Sequence, residues 1–262
     1  MLQNDNWGDR ARLGMYIVGN EAVPEAEWWA MSPPNVSVHA ARITASAPWA
    51  SWRENRSGTD LADDLIRGTR QFAAMRLSVV VIGHSSSSFL GGKGWDEAVV
   101  ENLSATLGSD VIATTNGLDT VAALQASGVR RPFLIMPPWY NDNIVDAGIR
   151  SYEDHGFEPA GLHRFDPGPK WLDVPLDDLT QRGLGFDQDV GSLYAQIKDI
   201  CPAEADGVLI AGTGFRCVAI LKALEQDLKR PVLSANQVSL WHCLQLAGVR
   251  SEVSGYGNIF KL

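Results

Sequence analysis

Short apolar runs, each closed by a polar turn, alternate with amphipathic stretches along this chain. Arg12-Leu13-Gly14-Met15-Tyr16-Ile17-Val18 reads as a first strand ending at Gly19-Asn20. Residues 24–29 read as a helix start, with proline early and acids in the first turn. Residues 36–43 alternate like a strand near a sheet edge, and residues 58–75 carry Leu61, Leu65, Ile66 and Phe72 at helical spacing. The continuous apolar run 77–82 stops at Gly83-His84-Ser85-Ser86-Ser87-Ser88-Phe89.

The pattern then repeats. Strand 111–113 enters Thr114-Thr115-Asn116-Gly117, strand 133–136 runs into Pro137-Pro138-Trp139-Tyr140, and strand 207–211 ends at Gly212-Thr213-Gly214. A short strand, 231–233, ends at Ser234-Ala235-Asn236-Gln237. Helices are expected over 95–107, 118–126, 142–155, 187–200, 215–228 and 238–246, with a short one beginning near 176–180 and irregular chain over 157–171. Buried strands each followed by a polar turn and a helix predict crossover units and a parallel sheet, hence an α/β fold. Ligands of such sheets bind beyond the carboxyl ends of the strands, where these polar turns converge.

Composition narrows the function classes. With 262 residues, 45% of them hydrophobic and 20% charged, the chain is long enough for a sizeable core. A formal charge of -9 weighs against nucleic acid. With no apolar run of membrane-spanning length and no signal-like start, neither a membrane nor export is expected. Cys201, Cys217 and Cys243 are odd in number and unpaired in spacing, which predicts a reducing cytoplasm and no disulfide framework. Nine tryptophans are many; core or subunit packing is the plainer reading, and walls of an apolar pocket the other. A homo-oligomer suits a soluble enzyme of this size, and no residue pattern sets the subunit number.

The run from Gly83 to Ser88 is the richest in chemistry. Backbone N–H groups of a turn entering a helix, with serine hydroxyls, can hold a carboxylate or an oxyanion, although Ser85 or Ser86 alone would serve as a helix cap. His84 is the candidate for a group titrating near neutrality. Thr115, Asn116 and Thr213 offer similar donors at two other strand ends. Gly212-Thr213-Gly214 lacks the dinucleotide fingerprint, and the five histidines form no helical pair, so neither a nucleotide cofactor nor a metal is expected. Cys217, placed about one turn inside the expected helix, reads as a buried structural thiol.

Taken in order, these strand-end motifs resemble the arylmalonate decarboxylase family. Gly83-His84-Ser85-Ser86-Ser87-Ser88-Phe89 is similar to the family's G-T-S-x-S-F segment, and residues 206–214 are similar to its D-G-I-L-L-S-C-G-G segment. Residues 231–234 through Trp241 to Gly248 resemble its P-V-V-S … F-W-D-A-V-R-L-A-G tail. The resemblance extends over residues 13–248 and places the chain near the aspartate/glutamate racemase superfamily, which includes maleate isomerase. It implies two similar Rossmann-like (flavodoxin-like) three-layer α/β domains with parallel sheets, a pseudo-twofold and an active site in the interdomain cleft. The first domain would span 10–114, completed by about 235–262, and the second 115–234. It also implies no cofactor, and a substrate carboxylate held by His84, Ser85, Trp139 or the adjacent Tyr140, Gly212 and Thr213, with Asn20 nearby.

The departure from the family is as informative. Superfamily racemases place one thiol on each side of the substrate and the decarboxylase keeps the second; here Gly83 and Gly212 stand at those positions. Two-thiol proton exchange and thiol addition to maleate are therefore disfavoured. The expectation is a cofactor-independent lyase (decarboxylase-like) or isomerase for a small organic acid, with an enolate-like intermediate. Its catalytic residues would be His84, Ser85 and Tyr140. Its substrate contacts would be Asn20, Ser86, Thr115, Asn116, Trp139, Gly212 and Thr213. The partner is a small-molecule carboxylate, with an aromatic or apolar group suited to Trp139. Two alternatives stay open: a hydrolase or hydratase using Ser85 and His84, and a non-catalytic carboxylate-binding protein.

Overall fold

A computed structural model describes residues 6–250 and 253–262. The chain runs through β1 (Ala11–Val18), α1 (Val23–Met31), β2 (Val36–Ile43), the antiparallel pair β3 (Ala50–Trp52) and β4 (Thr59–Leu61), and α2 (Asp63–Ala73). It continues through β5 (Val79–Ile82), α3 (Ser85–Gly91), α4 (Trp95–Leu107), β6 (Ile112–Thr115), α5 (Asn116–Ala126), β7 (Pro132–Met136) and α6 (Asp142–Asp154). The remaining elements are β8 (Gly161–Arg164), α7 (Leu184–Asp187), α8 (Val190–Ile200), β9 (Gly207–Ile210), α9 (Leu221–Leu228), β10 (Val232–Ser234) and α10 (Ala235–Leu246).

Two four-stranded parallel sheets form, ordered β2-β1-β5-β6 and β10-β9-β7-β8. Numbered by appearance within each half, the first sheet reads 2-1-3-4, and the second, taken from β8 through β7 and β9 to β10, reads the same. This repeated four-stranded unit is the basis of the pseudo-twofold. Alternation along the strands feeds two helical layers: Leu13, Met15, Ile17, Val79 and Val81 enter one core cluster, whereas Tyr16, Val80 and Ile82 enter another. The last helix, α10, crosses from the end of β10 to pack on α5, α1 and β5 of the first half.

In a sheet of this kind the chain turns opposite ways on either side of one strand pair, which opens a crevice between their carboxyl ends. The crevices here lie at β1/β5 and β7/β9. Four turns therefore face the cleft: those beginning at Gly19, Gly83, Pro137 and Ala211. The turns after β6 and β10 lie one strand away.

Several sequence expectations needed correction. Residues 59–61 are a strand paired with 50–52, so the helix expected from 58 starts at Asp63. Gly161–Arg164, expected to be irregular, is a sheet-edge strand with no apolar run to reveal it. The helix expected over 187–200 begins at Val190, after the short α7, where the Asp189 carboxylate accepts from the N–H groups of Gly191 and Ser192. The helix expected from 215 begins at Leu221 after a 3-10 turn at Val218–Ile220, so Cys217 lies before it, not inside it. Trp28, Trp49 and Trp95 are core, as the plainer reading of the tryptophans had it, whereas Trp7 and Trp29 are exposed.

Candidate active site

The serine run is the first turn of α3, with His84 as its N-cap residue, rather than an open loop. All four serines are buried, and their hydroxyls divide into two pairs. Ser87 Oγ accepts the Trp49 N–H (3.0 Å), tying the β3–β4 hairpin down, and Ser88 Oγ donates to Asp96 (2.7 Å) while accepting from the Gly117 N–H. Ser85 and Ser86 instead act on Tyr140 of the opposite half, their hydroxyls lowering its phenol pKa against the larger upward push of burial. Ser85 donates its proton to Asn116 Oδ1 (2.6 Å). Asn116 is fixed in that orientation because its Nδ2 donates to Ala235 O (2.9 Å) and Ser239 Oγ (3.0 Å).

The expectation that His84 titrates near neutrality does not survive its surroundings. Its ring stacks on Trp49 with centroids 4.2 Å apart, and burial pushes its pKa down to about 3. Its Nδ1 lies 2.9 Å from Ser87 Oγ. Ser87 Oγ, which also accepts the Trp49 backbone N–H, holds the ring at this nitrogen. His84 is a neutral hydrogen-bonding group.

From the second half, Tyr140 is buried, its phenol pushed up by burial and further by the charge of Glu21. Gly212 has φ +89, and a Cβ there would lie 2.9 Å from Pro137 Cγ and 3.4 Å from the Tyr140 hydroxyl oxygen. Thr213 donates its hydroxyl to Gly83 O (2.9 Å), so this side chain bridges the halves. Trp139 is half-buried and packs edge-on to Phe215 (centroids 5.7 Å).

Glu21, in the turn after β1, was missed by sequence reasoning. Its carboxylate touches Gly214, where a Cβ would collide with it. Its Oε2 is buried without a hydrogen-bond partner, and burial raises its pKa from 4.5 to about 7. With Asn20, Trp139, Thr180, Phe186 and Gly214 it lines a cavity of about 20 Å³, room for one water-sized group. The signal was available: an acid in a polar turn directly after a buried strand, in a chain where such turns carry the chemistry.

The structure therefore brings together His84, Ser85, Ser86, Tyr140, Gly212 and Thr213, with Trp139 and the exposed Asn20 on the neighbouring Glu21 side. It does not bring Thr115 or Asn116 to the cleft. Thr115 caps α5 by accepting from the Leu118 N–H (3.2 Å), and Asn116 stands behind Ser85. None of the cysteines is an activated thiol: burial raises the pKa of all three, Cys217 and Cys243 well above the usual value. Among the described residues no cluster of His, Cys, Asp or Glu has metal-binding geometry, and no helix is long and apolar enough to cross a membrane.

Residues 54–260 match the family model described as arylmalonate decarboxylase. Among solved structures, the chain is similar to the maleate isomerase Iso from Pseudomonas putida S16, with TM-score 0.78 and 16% identity over 95% of this chain and 98% of that one. It is similar to Nocardia farcinica maleate cis-trans isomerase bound to TRIS (TM-score 0.75, 17% identity, 95% and 97% covered). It is similar also to unliganded arylmalonate decarboxylase (TM-score 0.72, 19% identity, 96% and 99% covered). Comparison with curated protein sequences yields no match.

Proposed function

This chain belongs to the arylmalonate decarboxylase family, and from that premise we propose that it is a cofactor-free lyase or isomerase acting on a small organic acid. The observation that carries this reading is the convergence of turns from each half, where Thr213 bonds to Gly83 O beside the serine run and Gly212 lies against the Tyr140 hydroxyl. Hydroxyl and backbone N–H donors converging on a buried, largely apolar point suit one carboxylate group, and they stabilise it further as charge moves onto its oxygens in an enediolate. Neutral His84 adds a hydrogen-bonding group without adding a charge. Asn116 acts as a positioning residue that holds the Ser85 hydroxyl through its side-chain oxygen. Trp139 forms an apolar wall, which favours a substrate with an aromatic or alkyl group. The cavity is small as it stands, so admission of substrate requires movement on the α7 side, where Phe186 is 57% exposed.

The hydrogen bonding gives no support to a serine nucleophile. Ser85 donates to an amide oxygen rather than a base, and His84 is engaged with Ser87. The relatives' names supply two test substrates, maleate and an arylmalonate. Calorimetry with phenylacetate as a carboxylate probe should show binding weakened about tenfold by Ser85→Ala or Tyr140→Phe, the equivalent of one lost hydrogen bond. Turnover of phenylmalonate or maleate should fall with it. Phenylacetate binding unchanged in both variants would overturn the carboxylate site.

A further inference from the structure

We propose that Glu21 is the acid–base residue of this site, the group that delivers a proton to, or removes one from, the substrate's α-carbon. The inference rests on the carboxylate-binding reading above and adds the step that glycines at 83 and 212 cannot perform.

Position comes first. The turn after β1 is the pseudo-twofold counterpart of the turn after β7, so Glu21 stands opposite the Trp139-Tyr140 turn at the matching crevice. Its carboxyl contacts Gly214, two residues from the Gly212 whose Cβ position faces the Tyr140 hydroxyl. Glu21, Trp139 and Gly214 line one small cavity, and the Glu21 charge reaches the Tyr140 phenol beside Gly212.

The Glu21 Oε2 is buried and makes no hydrogen bond. Arg42 donates to the backbone carbonyl of Glu21, and its ion pair is with Glu25. A structural carboxylate at this depth is expected to be paired. One held unpaired beside a substrate-sized turn, and titrating near neutrality, is suited to proton transfer.

The competing groups are each unsuited. His84 stays neutral far below pH 7, Tyr140 holds its proton far above it, and the thiols are raised and elsewhere. Asp96 is also raised, to about 6, but is occupied by Ser88 behind α3.

In decarboxylation, the bond from the α-carbon to the departing carboxylate breaks and its electron pair is delocalised into the remaining carboxylate as an enediolate held by Ser86 and Tyr140. Carbon dioxide leaves, protonated Glu21 gives its proton to the carbon, and solvent returns one to Glu21. In α-proton exchange, ionised Glu21 takes the proton, the C–H electron pair enters the carboxylate, and the same group returns a solvent-derived proton.

The test compares wild type, Glu21→Gln and Glu21→Asp as full-length proteins in three measurements: phenylacetate binding by calorimetry, phenylmalonate decarboxylation, and deuterium incorporation at the α-carbon of phenylacetate by NMR. Glu21→Gln is expected to bind phenylacetate within about threefold of wild type yet lose turnover and exchange by about a hundredfold or more. The limb of the kcat/KM profile near pH 7 should disappear with it, and Glu21→Asp should keep part of both. A Glu21→Gln protein with wild-type turnover and an unchanged limb overturns the assignment and leaves the carboxylate site standing. Binding lost in parallel with turnover overturns it too, by making Glu21 a binding group. A wild-type protein that binds phenylacetate but neither decarboxylates nor exchanges overturns Glu21 and the lyase reading and leaves the carboxylate site, whereas one that fails to bind phenylacetate overturns the site as well.

Discussion

Thr213 donates its hydroxyl hydrogen to the carbonyl oxygen of Gly83 over 2.9 Å, bonding the turn after β9 directly to the turn after β5. The Thr213 carbonyl in turn accepts from Asn236 Nδ2 (2.8 Å), which also donates to the buried Glu27 carboxylate (2.7 Å). Glu27, from α1, accepts the Cys217 and Val218 N–H groups of the opposite half. The two central turns of the cleft are therefore held at a set separation by buried polar contacts. Thr213→Val removes the donor and leaves the Gly83 carbonyl buried without that partner, at a cost of about 1–3 kcal/mol. Thr213→Ser should recover most of it. Equilibrium denaturation measures both, and a valine variant as stable as wild type would show that the bridge contributes nothing.

Restoring a thiol at the second strand end should fail. Gly212 sits at φ +89, which side-chain-bearing residues rarely adopt, and a Cβ would press on Pro137 Cγ at 2.9 Å. Gly212→Ala and Gly212→Cys should each lose about 1–3 kcal/mol, the usual cost of a residue held in a sparsely populated conformation. At Gly83 the φ is ordinary and a Cβ would sit 3.1 Å from Tyr16 O, so Gly83→Ala should cost less than Gly212→Ala. Melting temperatures of the two alanine variants give the order directly.

The alternation of apolar runs and polar turns was enough to read the parallel α/β architecture, because strands buried on both faces are continuous in sequence, as in Val79–Ile82 and Gly207–Ile210. Edge strands carry no such run. Gly161–Arg164 is half exposed, and its four residues look like loop. The cleft candidates at the ends of β5, β7 and β9 were legible for the same reason as the fold. Thr115 and Asn116 were chosen by the same rule and lie away from the cleft, since strand order, which no local pattern encodes, decides which strand ends face the crevice. Glu21 was passed over because its character comes from burial against Gly214, and two residues 193 positions apart meet only in the folded chain. The acid–base expectation for His84 follows from its residue type and its strand-end turn, and burial, which no local pattern shows, lowers its pKa out of that range.

Stability at mildly acid pH should report the His84 environment. Its folded pKa is lowered from 6.5 to about 3, so between those values the unfolded chain holds a proton that the native protein lacks. Stability from this group is present above about pH 6.5 and is lost as pH falls, by about 1.4 kcal/mol per pH unit. His84→Asn should flatten that fall. Urea denaturation at pH 4, 5 and 6 would show the difference, and parallel slopes for the two proteins would mean that the ring is free to protonate in the native state.

Glu21 acts with the opposite sign. Its folded pKa is raised from 4.5 to about 7, so in that window the native protein holds a proton that the unfolded chain has given up. Stability therefore declines as pH rises through the window and is level above it. Over the same mildly acid range His84 pushes the other way, so the wild-type profile alone conceals both groups. The difference between Glu21→Gln and wild type isolates the carboxyl, because His84 and the similarly raised Asp96 are common to both proteins. That difference should be near zero at pH 4 and grow by about 1.4 kcal/mol for each pH unit crossed, reaching about 3 kcal/mol in favour of the variant above pH 7. A glutamine variant no more stable than wild type at pH 8 would mean that the Glu21 carboxylate is solvated or paired, and that its place beside Gly214 imposes no cost on folding.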